Sequence, residues 1–221
     1  MRKIAIVFHS GYGHTKRVAE HVEKGVAGRG VAVESIAIDA EGNLPAAAWQ
    51  TLQEADGIVF GTPTYMGGPS WQFKKFADAS SKQWFAMDWK GKIAAGFTNS
   101  ASMTGDKEST LHYLVTLASQ HKMLWSGSGL NPANLKASTR DDVNYLGGFV
   151  GLVVVSPSDA SVDDMIPGYL KTAEAFGAIG PLLDDVDACV ARAATMIDDV
   201  RDPCARLRSR LLRRLTPAPR R

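Results

Sequence analysis

Hydrophobic positions along this chain switch between two periods. Residues 4–8, Ile-Ala-Ile-Val-Phe, form an unbroken apolar run, the pattern of a parallel strand buried on both faces. From His14 to Ala27, Val18, Val22 and Val26 recur every four positions among Lys16, Arg17, Glu20, Glu23 and Lys24. That spacing predicts an amphipathic helix, ended by Gly28-Arg29-Gly30. The alternation repeats with a strand over 31–38, a short helix over 46–54, and a buried strand over 57–61 that stops at a turn, Thr62-Pro63-Thr64. Helices over 71–80, with Phe73 and Phe76 on one face, and over 107–122, with Leu111, Leu114, Val115 and Ala118 inward, flank a strand over 93–98. Met123-Leu124-Trp125 begins a fifth strand, and 151–155 adds a short extended piece. Residues 127–148, rich in Gly, Asn, Ser and Asp, lack periodicity and read as a functional or a disordered loop. Residues 167–178 and 184–200 are helical in character, with Pro203 after the second. Strands separated by single helices predict an α/β fold, a doubly wound five-stranded parallel sheet with helices on both faces. In such sheets ligands sit outside the carboxyl ends of the strands.

A chain of 221 residues, 45% hydrophobic, suits one domain of this kind over 1–200 with an extension over 201–221. No run reaches the about 18 apolar residues of a membrane span, and 4–8 is too short for a signal peptide, so a cytoplasmic location is expected. Cys189 and Cys204 stand outside any ligand-like spacing and read as free thiols, with no metal site. Redox chemistry would therefore need a cofactor. The net charge of +2 hides an asymmetry, because 201–221 holds eight arginines against Asp202 alone and the preceding chain is acidic. In that tail Leu207, Leu211, Leu212 and Leu215 interleave with arginines. Two readings stand, contact with an anionic membrane or nucleic acid and a solubilising or oligomer-packing extension, the second favoured.

Three predicted strands end in loops of small, hydroxylated or glycine residues. The first, Ser10-Gly11-Tyr12-Gly13-His14-Thr15, joins a buried strand to a helix start, where free N–H groups and the helix dipole favour a phosphate. It has no lysine and lacks the G-x-G-x-x-G spacing, which excludes a Walker loop and a dinucleotide fingerprint. A phosphomonoester such as that of FMN fits better than a triphosphate. The ring of His14 is expected to face solvent, its backbone N–H serving the phosphate. The second, 61–69, is uncharged and carries Tyr65, suited to the edge of a flat apolar ring. The third, 98–106, offers neutral hydrogen-bonding groups for the ring's polar rim. No G-x-S-x-G elbow is present, which disfavours hydrolysis.

On these motifs, with Phe60-Gly61-Thr62-Pro63-Thr64-Tyr65-Met66-Gly67 and the helix leading to Gln120-His121-Lys122-Met123, residues 3–183 resemble the flavodoxin-like NAD(P)H:quinone oxidoreductases and the related NADPH-dependent FMN reductases. The resemblance implies a flavodoxin-like fold, bound FMN, NADH or NADPH as co-substrate, and a homo-oligomer, dimer or tetramer. It carries the flavin phosphate onto Ser10, Gly11, Tyr12, Gly13, His14 and Thr15, and the flavin ring onto Pro63, Thr64, Tyr65, Met66 and Gly67. The third loop implies Asn99, Ser100, Ala101 and Gly105. It also implies a catalytic, ring-positioning role for His121 and a substrate contact for Trp84. Thr64-Tyr65-Met66-Gly67 replaces the family's usual Thr-Arg-Phe-Gly, and Gln120-His121 replaces a His-His pair. The function implied is transfer of two electrons from NAD(P)H to a quinone or similar small acceptor. Its rivals are a flavodoxin-type carrier between protein partners and a scaffold that has lost the flavin.

Overall fold

Strand β1 (Lys3–His9) lies between β2 (Ala32–Ile38) and β3 (Gly57–Tyr65), parallel to both. The computed structural model describes residues 2–178. The expected helix over 184–200, both cysteines and the arginine-rich tail lie outside the described residues.

Beyond β3 the sheet continues with β5 (Ile93–Ser100) and then β6 (Leu124–Trp125), giving the order β2-β1-β3-β5-β6. The short β4 (Gly68–Pro69) folds back antiparallel on the end of β3. The fifth position is split. β6 pairs with Ile93 and Ala94 at the start of β5, and β7 (Leu152–Val155) pairs in parallel with Phe97 to Ser100 at its end. Residues 126–151 leave the sheet between the two halves. Trp125 Nε1 donates to Val150 O at 2.8 Å, closing the excursion at its base, while buried Asn144 donates from its backbone N to Thr172 Oγ1 and from Nδ2 to Leu130 O. The aperiodic segment is thus a built loop.

Both faces of the sheet are covered. Ala5, Val7, Ile58, Phe60 and Ala94 pack with side chains of α2 (Ala48–Glu54), α3 (Trp71–Ala79) and α5 (Lys107–Gln120), including Leu52, Phe73, Phe76, Leu111 and Leu114. Ile4, Ile6 and Phe8 are equally buried and, by the period of two, point to the opposite face. Each large apolar side chain so removed from water contributes about 1.5–3 kcal/mol. Helices α1 (His14–Ala27) and α6 (Pro167–Gly177) pack against each other at backbone distance. A Cβ on Gly25 would stand 2.0 Å from Glu174 O, and one on Gly177 2.1 Å from Val22 O.

One local expectation is corrected. The segment 62–64 is strand, not turn. β3 runs on to Tyr65, with Thr62 and Pro63 in register with Thr98 and Asn99. β1 pairs with β3 only as far as Gly61, so Pro63 stands where one side of the strand has no ladder neighbour and its missing N–H is tolerated. The turn follows at Met66 and Gly67, both with positive φ (47° and 76°). A helix that the sequence reading did not place, α4 (Ser81–Ala86), follows α3. It buries none of its residues, so it has no apolar face to read. No described helix is long and apolar enough to cross a membrane.

Candidate functional site

The carboxyl ends of β1, β3, β5 and β7 open into one cavity of about 700 Å³. From β1 come Tyr12, His14 and Thr15, from β3 Pro63, Thr64 and Tyr65, and from β5 Asn99, Ser100 and Ala101. The loop after β7 supplies Ser156, Pro157, Ser158, Ala160, Ser161 and Val162. Among the described residues no Lys, Arg, Asp or Glu lines it, so its walls suit a flat, largely apolar ligand held by a few hydrogen bonds.

Beside the cavity, the first loop leaves its donors free. Among the described residues no acceptor meets the backbone N–H groups of Gly11, Tyr12 and Gly13, and those of His14 and Thr15 fall in the unpaired first turn of α1. Gly13 caps that helix in the left-handed region (φ 90°) with no side chain of its own, and the first turn has no acidic residue. An anion at this end would therefore meet several donors and the positive end of a 14-residue helix. Two glycines are required by their neighbours. A Cβ on Gly11 would lie 2.6 Å from the Tyr65 hydroxyl, and one on Gly13 2.8 Å from Val162 Cγ2.

Hydroxyls join the strand ends. Thr15 Oγ1 donates to Asn99 Oδ1 at 2.5 Å, and Asn99 Nδ2 donates to Ser156 Oγ at 2.7 Å, tying the loops after β1 and β7 to β5. Behind Thr64, its hydroxyl bonds those of Thr98 and Thr110, each at 2.8 Å. Ser10 Oγ accepts the N–H of Lys16 at 3.1 Å, which leaves its own proton available. Tyr12 and Tyr65 meet edge to face, centroids 6.3 Å apart, and burial beside Tyr12 raises the Tyr65 phenol above its ordinary value. The ring of His14 is turned inward, contrary to expectation, with Nε2 3.1 Å from Ala160 O.

The other expected residues separate into two groups. Ser10, Gly11 and Gly13 shape the first loop, and Gly105 (φ 51°) folds the third, since a Cβ there would stand 2.2 Å from Ser100 Oγ. Met66 and Gly67 form the exposed tip of the β3–β4 turn and do not line the cavity.

His121 and Trp84 do not line this cavity. α5 runs back along the sheet, so its end meets the amino end of β5, where Lys122 O accepts from Gly91 N. There His121 is buried, its ring 4.2 Å from that of Trp89, with Nε2 2.9 Å from Ser80 Oγ. The Ser80 hydroxyl donates to Ala77 O at 2.7 Å, so it accepts from His121 Nε2–H, and Nδ1 is the unprotonated, unpartnered nitrogen. Burial and, second, Lys122 hold the imidazole down to about 4. Trp84 stands nearby on α4 with the Lys122 ammonium 5.7 Å over its ring.

Sequence reasoning missed two features. The loop after β7 follows the same pattern as the other three, a short apolar strand and then Ser156-Pro157-Ser158, and that pattern was the available signal. Lys107, at the start of α5, is 2% exposed and donates to Ser100 Oγ at 3.0 Å and Ser102 O at 2.5 Å. Burial draws its ammonium down to about 8. Nothing in its position along the chain signals that burial.

Residues 3–134 match the family described as NADPH-dependent FMN reductase. Flavodoxin FldP of Pseudomonas aeruginosa is 51% identical over 178 residues, 80% of this chain and 94% of its own length. An NAD(P)H dehydrogenase (quinone) of Trichlorobacter lovleyi is 32% identical over 58% of this chain and 72% of its own. Among solved structures, a flavodoxin, WrbA-like protein from Agrobacterium tumefaciens superposes with a TM-score of 0.68 at 45% identity, covering 84% of this chain and 99% of that one. An archaeal flavodoxin shares the fold at 19% identity, with a TM-score of 0.55. With over half its length matched and its strand-end loops gathered on a parallel sheet, the chain belongs to the NADPH-dependent FMN reductase family, on a flavodoxin-like fold.

Proposed function

We propose that residues 10–15 hold the phosphate of FMN, that the cavity beside them takes its ring, and that the protein passes two electrons from NADH or NADPH to a quinone or similar small acceptor. The observation that carries this reading is a cavity of about 700 Å³, uncharged among the described residues, opening beside a lysine-free loop whose backbone donors meet no acceptor among them. FMN, when bound, supplies the two-electron chemistry, and the protein supplies binding and orientation. Ser10 donates its free hydroxyl proton to the phosphate, together with the N–H groups of residues 11–15. Thr15 contributes its backbone only, because its single hydroxyl proton is engaged by Asn99. Tyr12 and Tyr65 wall one side of the cavity, and Asn99, Ser100 and Ala101 offer its polar rim. The quinone and NAD(P)H assignments rest on the family and on relatives named as NAD(P)H dehydrogenases (quinone). A homo-oligomer, dimer or tetramer, belongs to the same reading.

The test is anaerobic mixing of the FMN-loaded protein with NADH and, separately, NADPH, followed in the flavin absorption band. Bleaching by either and recovery on adding a quinone are expected. A protein that binds FMN yet bleaches with neither is instead an electron carrier, the reading favoured by its 51% identity to a flavodoxin.

A further inference from the structure

Lys107 is buried at the head of α5, and among the described residues no carboxylate reaches it within ion-pair distance. Burying an unpaired ammonium costs stability, and a loop needing only to be tied down is held more cheaply by a neutral donor. The cation sits behind the third loop. It donates to Ser100 Oγ at 3.0 Å and to Ser102 O, and Gly105 brings the chain back over Ser100 in a conformation that leaves no room for a Cβ. Ser100 and its neighbour Ala101 line the cavity, whose other walls carry no charged side chain among the described residues. The field of Lys107 therefore reaches the cavity through one hydroxyl, with no neutralising carboxylate among the described residues.

We propose that Lys107 is a positioning cation which, acting through Ser100, favours negative charge on a reducible ring in the cavity and raises the reduction potential of the flavin held there. This rests on the reading of the cavity as an FMN site. Oxidised flavin that takes up two electrons and one proton becomes an anion, whereas two electrons and two protons leave it neutral. A fixed positive charge nearby favours the first outcome, and with it the reduced state. With its ammonium drawn down only to about 8, Lys107 is still charged at neutral pH.

Wild type, Lys107→Met and Lys107→Arg, each loaded with FMN, are titrated at pH 7 against reference dyes to obtain the two-electron midpoint potential. Lys107→Met is expected to lose about tenfold in preference for reduced over oxidised FMN, about 30 mV in potential, while Lys107→Arg keeps the wild-type value. A Lys107→Met potential equal to wild type, or an equal fall in the arginine variant, overturns the proposal. Should Lys107→Met not fold, Lys107→Gln, which can still donate to Ser102 O, decides by the same comparison. Wild-type protein that binds no FMN defeats the functional reading itself, whereas wild type that binds FMN with unchanged potential in the neutral variant defeats this inference alone.

Discussion

Thr15 on α1 and Asn99 at the end of β5, 84 positions apart in the chain, are joined by a 2.5 Å hydrogen bond from the threonine hydroxyl to the amide oxygen. Because Asn99 passes the contact on to Ser156, one side chain holds three strand-end loops in register around the cavity. Both partners of Asn99 are buried, so this bond carries the desolvation cost of each if broken.

Asn99→Asp should therefore weaken FMN binding more than it weakens the fold. The carboxylate still accepts from Thr15, and Ser156, which now accepts from Asn99 Nδ2, turns to donate, but the change places a buried negative charge beside the loop that is to hold a phosphate. Asn99→Leu, which leaves Thr15 and Ser156 unpaired, should cost about 1–3 kcal/mol in urea unfolding. Flavin titration and denaturation of the two variants check the order of the effects.

Gly13 meets two constraints, a φ of 90° and Val162 Cγ2 where a Cβ would stand. Gly13→Ala should destabilise by about 1–3 kcal/mol. Adding Val162→Ala removes the contact but not the dihedral strain, so the double variant should recover only part of the loss. Complete recovery in a double-mutant cycle would show that the clash alone mattered.

His121 gives a pH dependence of definite sign. Its folded value, about 4, lies below the ordinary 6.5, so the unfolded chain binds the extra proton between them. The stability it contributes is complete above about pH 6.5 and is lost as pH falls toward 4. Between those values wild type should take up about one more proton on unfolding than His121→Phe, read from the slopes of unfolding free energy against pH. Equal slopes would contradict the buried neutral imidazole.

Met66 is fully exposed with φ 47°, a conformation that L side chains other than Asn and Asp resist. Met66→Asn should raise stability by about 0.5–1 kcal/mol. Because the side chain does not line the cavity, FMN affinity should stay unchanged, measured by fluorescence quenching on titration.

Much of the site was legible along the chain for a local reason. The first loop announces itself because a buried run, 4–8, ends in small residues directly before the valine-periodic α1, and strand end, loop and helix start are neighbours in sequence. Pro63 misled because a proline marks a turn by local rule, and only the absence of β1 beyond Gly61 lets it sit in a strand. The position of His121 was not legible, for another reason. The motif reads as a place near the flavin, and the direction of α5 carries it to the amino end of β5, against Trp89.

By itself, then, the sequence determined the alternation of strand and helix, the central buried strands and the chemistry of the strand-end loops. All of these are written in periods of two and of three to four residues and in short runs of glycine and hydroxyl groups. Only the tertiary structure decided that β6 and β7 share one position beside β5, that residues 156–162 close the cavity, that Asn99 takes the proton of Thr15, and that Lys107 is buried behind Ser100. Those facts depend on which distant segments the parallel order brings together, and burial and pairing across such distances leave no periodic trace in the chain.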